Sequence, residues 1–214
     1  MSTPTENACV SDPIARSPIP AAPPVEVRDG WEVSARRSPA PLVLRDATPL
    51  AKITIRAPEA GATAAALGVG FGRSRRDAHG LLVGSGPGEW LAIGAVGTAD
   101  AAVRRLGELA ADDEHVSIVD QTHGRALVRL TGTGARGLLT RVCAIDLSDR
   151  ATPDGAALRT SVANLVVDII RDDRDTSPSY LLHCERSSGQ YLFDLIVDVG
   201  AEFDLDVAGF ENRP

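Results

Sequence analysis

The chain has 214 residues, 43% hydrophobic and 24% charged, enough for one ordinary domain or two small ones with a buried core, and far from the composition of a disordered chain. Its net charge of −7, with 22 basic residues spread along the sequence, argues against a nucleic-acid partner, which needs a concentrated positive field. Three scattered cysteines, Cys9, Cys143 and Cys184, without a secretory apolar stretch lead us to expect a reducing cytoplasm, and the run Val162 to Ile170, broken by Asn164 and Asp168, falls short of the roughly 20 apolar residues of a membrane span.

Residues 1–45 carry Pro4, Pro13, Pro18, Pro20, Pro23, Pro24, Pro39 and Pro41 with little hydrophobic periodicity. That pattern is expected to leave a disordered tail, or an arm that orders along a partner subunit, a role that Trp31 in a polar stretch favours. From residue 46 to 208 one α+β domain is expected. Lys52 to Arg56 alternates with Ile53 and Ile55 on one side and reads as a half-buried strand, and Glu59 to Leu67 as a helix. Gly80 to Gly84 and Glu89 to Gly94 form a hairpin around Ser85-Gly86-Pro87-Gly88, whose glycines supply the φ > 0 positions of a tight connection.

Thr98 to Ala111 sets Ala102, Val103, Leu106 and Leu109 at helical spacing, with Asp100, Arg104, Arg105 and Glu108 on the opposite face. His115 to Asp120 and Arg125 to Leu130 read as strands and Ala135 to Val142 as a helix. Thr160 to Arg171 and Tyr180 to Arg186 read as a second hairpin across the Pro178 link, followed by the helix Gln190 to Val199. Strand, helix, hairpin, helix thus occurs twice, over about 50–111 and 125–199. The expected architecture is two ferredoxin-like (split βαβ) halves packed as one compact body.

Gly132-Thr133-Gly134-Ala135-Arg136-Gly137 matches G-x-G-x-x-G between a strand and a helix. The acidic strand-end residue of a dinucleotide site is missing, so a tight strand-to-helix crossing competes with a nucleotide loop. Arg73, Arg75 and Arg76 form a small basic patch for a carboxylate or acidic partner, or a solvated loop. His79, His115, His123 and His183 lack metal-ligand spacing, and no metal is expected. His123, three residues after Asp120, reads as an acid/base or as a turn histidine; Cys143 and Cys184 lie in apolar elements and lack the base a nucleophile needs.

The segment Ser117 to Leu139, with Asp120-Gln-Thr-His-Gly-Arg125, and onward to Asp146-Leu147 resembles the folate-binding aminomethyltransferase superfamily. Within it the sequence resembles the gamma-subunit family of heterotetrameric sarcosine oxidase, through Gly86-Pro87-Gly88-Glu89-Trp90-Leu91, the Asp120 motif and Glu185-Arg186-Ser187-Ser188 before the last helix. The resemblance runs from about Leu81 to Asp206 and implies an aminomethyltransferase-like, folate-binding-type domain. It implies a complex with alpha, beta and delta subunits that demethylates sarcosine oxidatively to glycine, with tetrahydrofolate as one-carbon acceptor. NAD, tetrahydrofolate, FAD, FMN and zinc would sit on the other subunits and none on this chain. Active aminomethyltransferases carry a Gly-Gly and then an Asp-Asp pair where this chain reads Thr160-Ser161-Val162-Ala163-Asn164-Leu165. The chain is also shorter than those enzymes, and the expected role is non-catalytic. The gamma-type subunit of an N-methylglutamate dehydrogenase, and a stand-alone folate-binding protein or methylene transferase, are the alternatives. In the latter, Trp90, Arg125 and Arg186 would line a degenerate folate pocket.

Overall fold

The computed structural model describes residues 13–110 and 115–214. In chain order the strands and helices are β1 (Ala15–Arg16), β2 (Val25–Arg28), β3 (Trp31–Ser34), β4 (Leu42–Asp46), β5 (Ala51–Arg56), α1 (Ala62–Leu67), β6 (Ser74–Asp77), β7 (Gly80–Gly86), β8 (Glu89–Gly94) and α2 (Ala99–Leu109). They continue with β9 (Ser117–Asp120), β10 (Arg125–Gly132), α3 (Ala135–Leu139), β11 (Ala157–Val162), β12 (Leu165–Arg171), β13 (Ser179–Glu185), α4 (Gly189–Gly200) and β14 (Asp206–Val207). The strands form a six-stranded sheet, β11-β12-β13-β10-β4-β14, a five-stranded sheet, β6-β7-β8-β5-β9, and a small sheet, β1-β3-β2.

The internal repeat is present, and it is larger than its sequence pattern suggests. Each half reads β-β-α-β-β-β-α, β4 to α2 and then β9 to α4. The halves exchange their leading strands. β4 pairs antiparallel with β10, so that Leu44 lies opposite Leu130, while β9 pairs antiparallel with β5, with Val119 opposite Thr54. The split βαβ expectation holds: β8 lies antiparallel between β5 and β7, and β13 antiparallel between β10 and β12, with one further edge strand, β6 or β11, added to each half.

Side-chain alternation along the strands builds four layers, because successive residues face opposite sides of a sheet. From β10, Ala126, Val128 and Leu130 meet Leu138, Leu139, Leu192 and Ile196 of α3 and α4. Leu127 faces the other way, into a cluster with Leu81, Leu91 and Ile93 of the opposite sheet. From β5, Ile53 and Ile55 pack with Leu67 and Leu106 of α1 and α2. The layers are therefore helix, sheet, sheet, helix, as expected of an α+β body.

The expected tail is the main correction. Of residues 1–45, residues 1–12, with Pro4 and Cys9, lie outside the described residues, as does Ala111, the expected end of the helix begun at Thr98. Residues 13–46 are strands and connections: β3 pairs parallel with β1 and antiparallel with β2, and β4 enters the six-stranded sheet. Pro18, Pro20, Pro23, Pro24, Pro39 and Pro41 all fall between strands, where a missing N–H costs no ladder bond. Ile19, Trp31 and Val33 are buried.

Two smaller differences concern strand ends. Thr160 to Arg171 is two strands joined at Ala163-Asn164, whose φ angles of 49° and 66° make a two-residue turn. The helix expected from Ala135 to Val142 stops at Leu139.

Candidate functional site

The side chains that the strands turn between the sheets close on an apolar cluster at one end and on a polar cleft at the other. Thr54 and Arg56 of β5, Glu89 and Trp90 of β8, Ser117 and Val119 of β9, Arg125 of β10, Arg159 of β11, Asp168 of β12 and His183 of β13 line it. A lobe of about 190 Å3 adjoins one of about 200 Å3, the second edged by Val166 and Glu185.

A chain of ion pairs crosses the cleft. Arg56 donates to Oε2 of Glu89 from Nε at 3.1 Å and from Nη2 at 2.9 Å. Arg159 donates from Nη2 to the other oxygen of Glu89 at 2.9 Å and from Nε to Oδ1 of Asp168 at 2.6 Å. Asp168 Oδ2 lies 3.0 Å from Nδ1 of His183. Glu89 belongs to the first half and Arg159 to the second, so the chain also ties the halves together. Arg125 pairs with Glu185 at the rim.

The charges follow from this geometry. Burial pushes the Asp168 carboxyl up, but hydrogen bonds from His183 and Arg159 outweigh it and hold Asp168 below the usual carboxylate range. Glu89 is held low in the same way, against its burial, by Arg159 and Arg56. Burial also lowers His183, more than Asp168 raises it. An ionised Asp168 only accepts, so neutral His183 donates from Nδ1 and leaves Nε2 as a buried acceptor without a hydrogen-bond partner in the structure.

Of the three residues expected to line a folate pocket, the fold brings two together. Trp90 is among the cleft lining, but it is buried and its indole N–H donates to the Val69 carbonyl at 2.7 Å. Arg125 lies on the rim. Arg186 is elsewhere: its Nη2 donates to the Arg16 carbonyl at 2.6 Å and anchors the N-terminal segment. Glu89, Arg159, Asp168 and His183 went unselected by sequence reasoning. For Asp168 and His183 the one signal is a charged or polar residue inside each of the runs Val166-Val167-Asp168-Ile169 and Leu181-Leu182-His183-Cys184. The Asp168–His183 pairing depends on strand register.

The motif at Asp120 is a turn. Oδ1 of Asp120 accepts from the Thr122 N–H at 2.8 Å, Gln121 N–H donates to the Lys52 carbonyl at 2.7 Å, and His123 stacks on Trp31 with ring centroids 4.7 Å apart. The turn holds Lys52 fully buried, its ammonium donating to the carbonyls of Thr48 and Leu50, and burial lowers its pKa to about 7. At Gly132, φ is 137° and a Cβ would meet the Pro41 carbonyl oxygen at 2.0 Å. That glycine permits the close passage of β4. In the basic patch, Arg76 donates to Asp172 at 2.6 Å and Arg75 to the Leu67 carbonyl at 3.1 Å. Cys143 and Cys184 are buried free thiols, and burial raises Cys184 to about 11. Among the described residues no helix is long and apolar enough to cross a membrane.

The model of the sarcosine oxidase, gamma subunit family matches residues 75–202. That stretch is more than half of the chain and contains the cleft residues from Glu89 to Glu185. The chain belongs to this family. Around the matched stretch the gamma-family chain also resembles solved structures. It is 22% identical to a chain of the heterotetrameric sarcosine oxidase from Corynebacterium sp. U-96 in complex with pyrrole 2-carboxylate, over 79% of this chain and 89% of that one, with a TM-score of 0.68. It is 15% identical to the glycine cleavage system aminomethyltransferase T from Bartonella henselae, over 86% of this chain and 55% of that one, with a TM-score of 0.65. At such identities the likeness is one of fold, and the gamma-family chain has the aminomethyltransferase-like α+β fold. Comparison with curated protein sequences gives no match.

Proposed function

We propose that the chain acts as a non-catalytic gamma subunit, helping to hold alpha, beta and delta chains in a cytoplasmic sarcosine oxidase that passes the one-carbon unit to tetrahydrofolate. Family membership supports the gamma role. The observation that carries the non-catalytic part is the Arg56–Glu89–Arg159–Asp168–His183 chain, which uses the charged groups of the cleft on one another.

The cleft is poorly suited to tetrahydrofolate. Its two adjoining lobes, about 190 and 200 Å3, together reach only the lower end of the roughly 300–1,000 Å3 of a site for a drug-sized ligand. Entry would also break ion pairs shared by the two halves. The stretch that resembles the Gly-Gly and Asp-Asp segment of active aminomethyltransferases, Thr160 to Leu165, carries no carboxylate and forms the end of β11 and the turn into β12. NAD, FAD, FMN and zinc belong, in this reading, to the partner chains, and the two buried free thiols fit a reducing compartment.

Co-expression of the alpha, beta and delta chains with and without this chain tests the reading. Flavin-loaded assembly and sarcosine-dependent peroxide formation should require it, and the isolated chain should neither turn over sarcosine nor bind tetrahydrofolate in a calorimeter. Full assembly and turnover without it would refute the assembly role. Tetrahydrofolate binding that is lost in Trp90→Ala and Arg125→Ala would instead favour a folate-binding protein.

A further inference from the structure

Apart from the ion-pair chain, the small N-terminal sheet and the C-terminal segment enclose an open trough of about 500 Å3. Arg28, Arg36, Arg37 and Arg45 line it, with Glu26 and Phe210. In a chain whose net charge is −7, this is a local reversal of sign. Two of the arginines are committed: Arg36 donates to Asp206 at 2.8 Å, and Arg28 pairs with Glu26 and lies 5.4 Å over the Phe210 ring. The side chains of Arg37 and Arg45 have no hydrogen-bond or ion-pair partner among the described residues. Four guanidiniums therefore face two carboxylates, and the surplus sits on the two unpaired side chains.

The edge of the trough has its own character. β2 pairs only with β3 among the described residues, at the end of the order β1-β3-β2, so its outer edge offers free N–H and C=O groups. Along it Glu26 and Arg28 face the trough, while Val25 and Val27, 48% and 57% exposed, face the other way. A strand added there would set alternate side chains against arginines and against valines.

We propose that this trough docks an extended segment of a partner chain in which acidic and apolar residues alternate, its carboxylates taken by Arg37 and Arg45. The proposal rests on the assembly reading. Guanidinium forks bind carboxylates bidentately. Nucleic acid is disfavoured, because the one aromatic ring lining the trough, Phe210, is already covered by Arg28 and stacking platforms are what single strands require.

The test measures binding of the immobilised full chain to the assembled alpha, beta and delta chains at rising salt. Arg37→Glu with Arg45→Glu is compared with wild type and with an exposed control, Arg104→Glu with Arg150→Glu. Arg37→Gln with Arg45→Gln serves if the reversal unfolds the chain. Affinity should fall about tenfold or more in the trough variants at low salt and hardly at all in the control. The gap should narrow near 1 M salt, where the screening length is about 3 Å. Equal binding by wild type and trough variants overturns the docking proposal and leaves the assembly role standing. Failure of the wild type to bind the partner chains overturns both. A loss that inorganic phosphate at millimolar concentration reproduces in the wild type overturns the peptide segment in favour of a small anion.

Discussion

His183 and Asp168 show how little sequence distance matters to charge. Fifteen residues apart, they are brought side by side by register on β12 and β13, where burial lowers His183 against the pull of Asp168 and the His183 hydrogen bond helps hold Asp168 low. His183 is held below its ordinary 6.5, so the unfolded chain takes up a proton as pH falls through about 6.5 while the folded chain does not. The stability that neutral His183 contributes is complete above that pH and is lost as the pH falls toward its folded value. Asp168 and Glu89, also held low, add a second loss in the carboxylate range. Thermal melts from roughly pH 7.5 to 5 should show the first decline in the wild type and a flatter profile in His183→Gln. An unchanged slope in the variant would remove His183 from the explanation.

At the scale of elements, the N-terminal segment is the part that hydrophobic patterning misreads. Its strands have two to five residues, too few to show a period between prolines. Its stability comes from single anchors: Trp31 is 5% exposed and stacks on His123, and Arg186 holds the Arg16 carbonyl. Trp31→Ala should cost about 3 kcal/mol, as for other buried aromatic truncations, read as a drop in the denaturation midpoint. Limited proteolysis should then cut first before Leu42. A Trp31→Ala chain as stable and protease-resistant as wild type would show that the small sheet is held by something else. The opposite lesson comes from α2. Its apolar stripe is regular, and the helix lies within its expected span, from Ala99 to Leu109.

For the molecule as a whole, the exchange of β4 and β9 makes neither half complete alone. A chain cleaved between α2 and β9 would leave β5 without one neighbour in the first fragment and β10 without one in the second. We expect a single cooperative unfolding transition for the intact chain, with calorimetric and van't Hoff enthalpies in agreement. The separately expressed fragments should be unfolded and should regain native circular dichroism on mixing. Fragments that fold singly, or two resolved transitions in the intact chain, would contradict an interlocked body.

Local order was legible in the sequence, because it rests on short-range chemistry. The glycines of Ser85-Gly86-Pro87-Gly88 mark the turn between β7 and β8, alternation in Lys52 to Arg56 marks β5, and the stripe from Ala102 to Leu109 marks α2. From these the twofold repeat and the α+β class followed. Only tertiary structure decided which strands exchange, that residues 13–46 are woven into the body, and that Glu89, Arg159, Asp168 and His183 meet in one cleft. Each of those depends on pairing between residues far apart in sequence, where register and burial, rather than the character of any single residue, set the outcome.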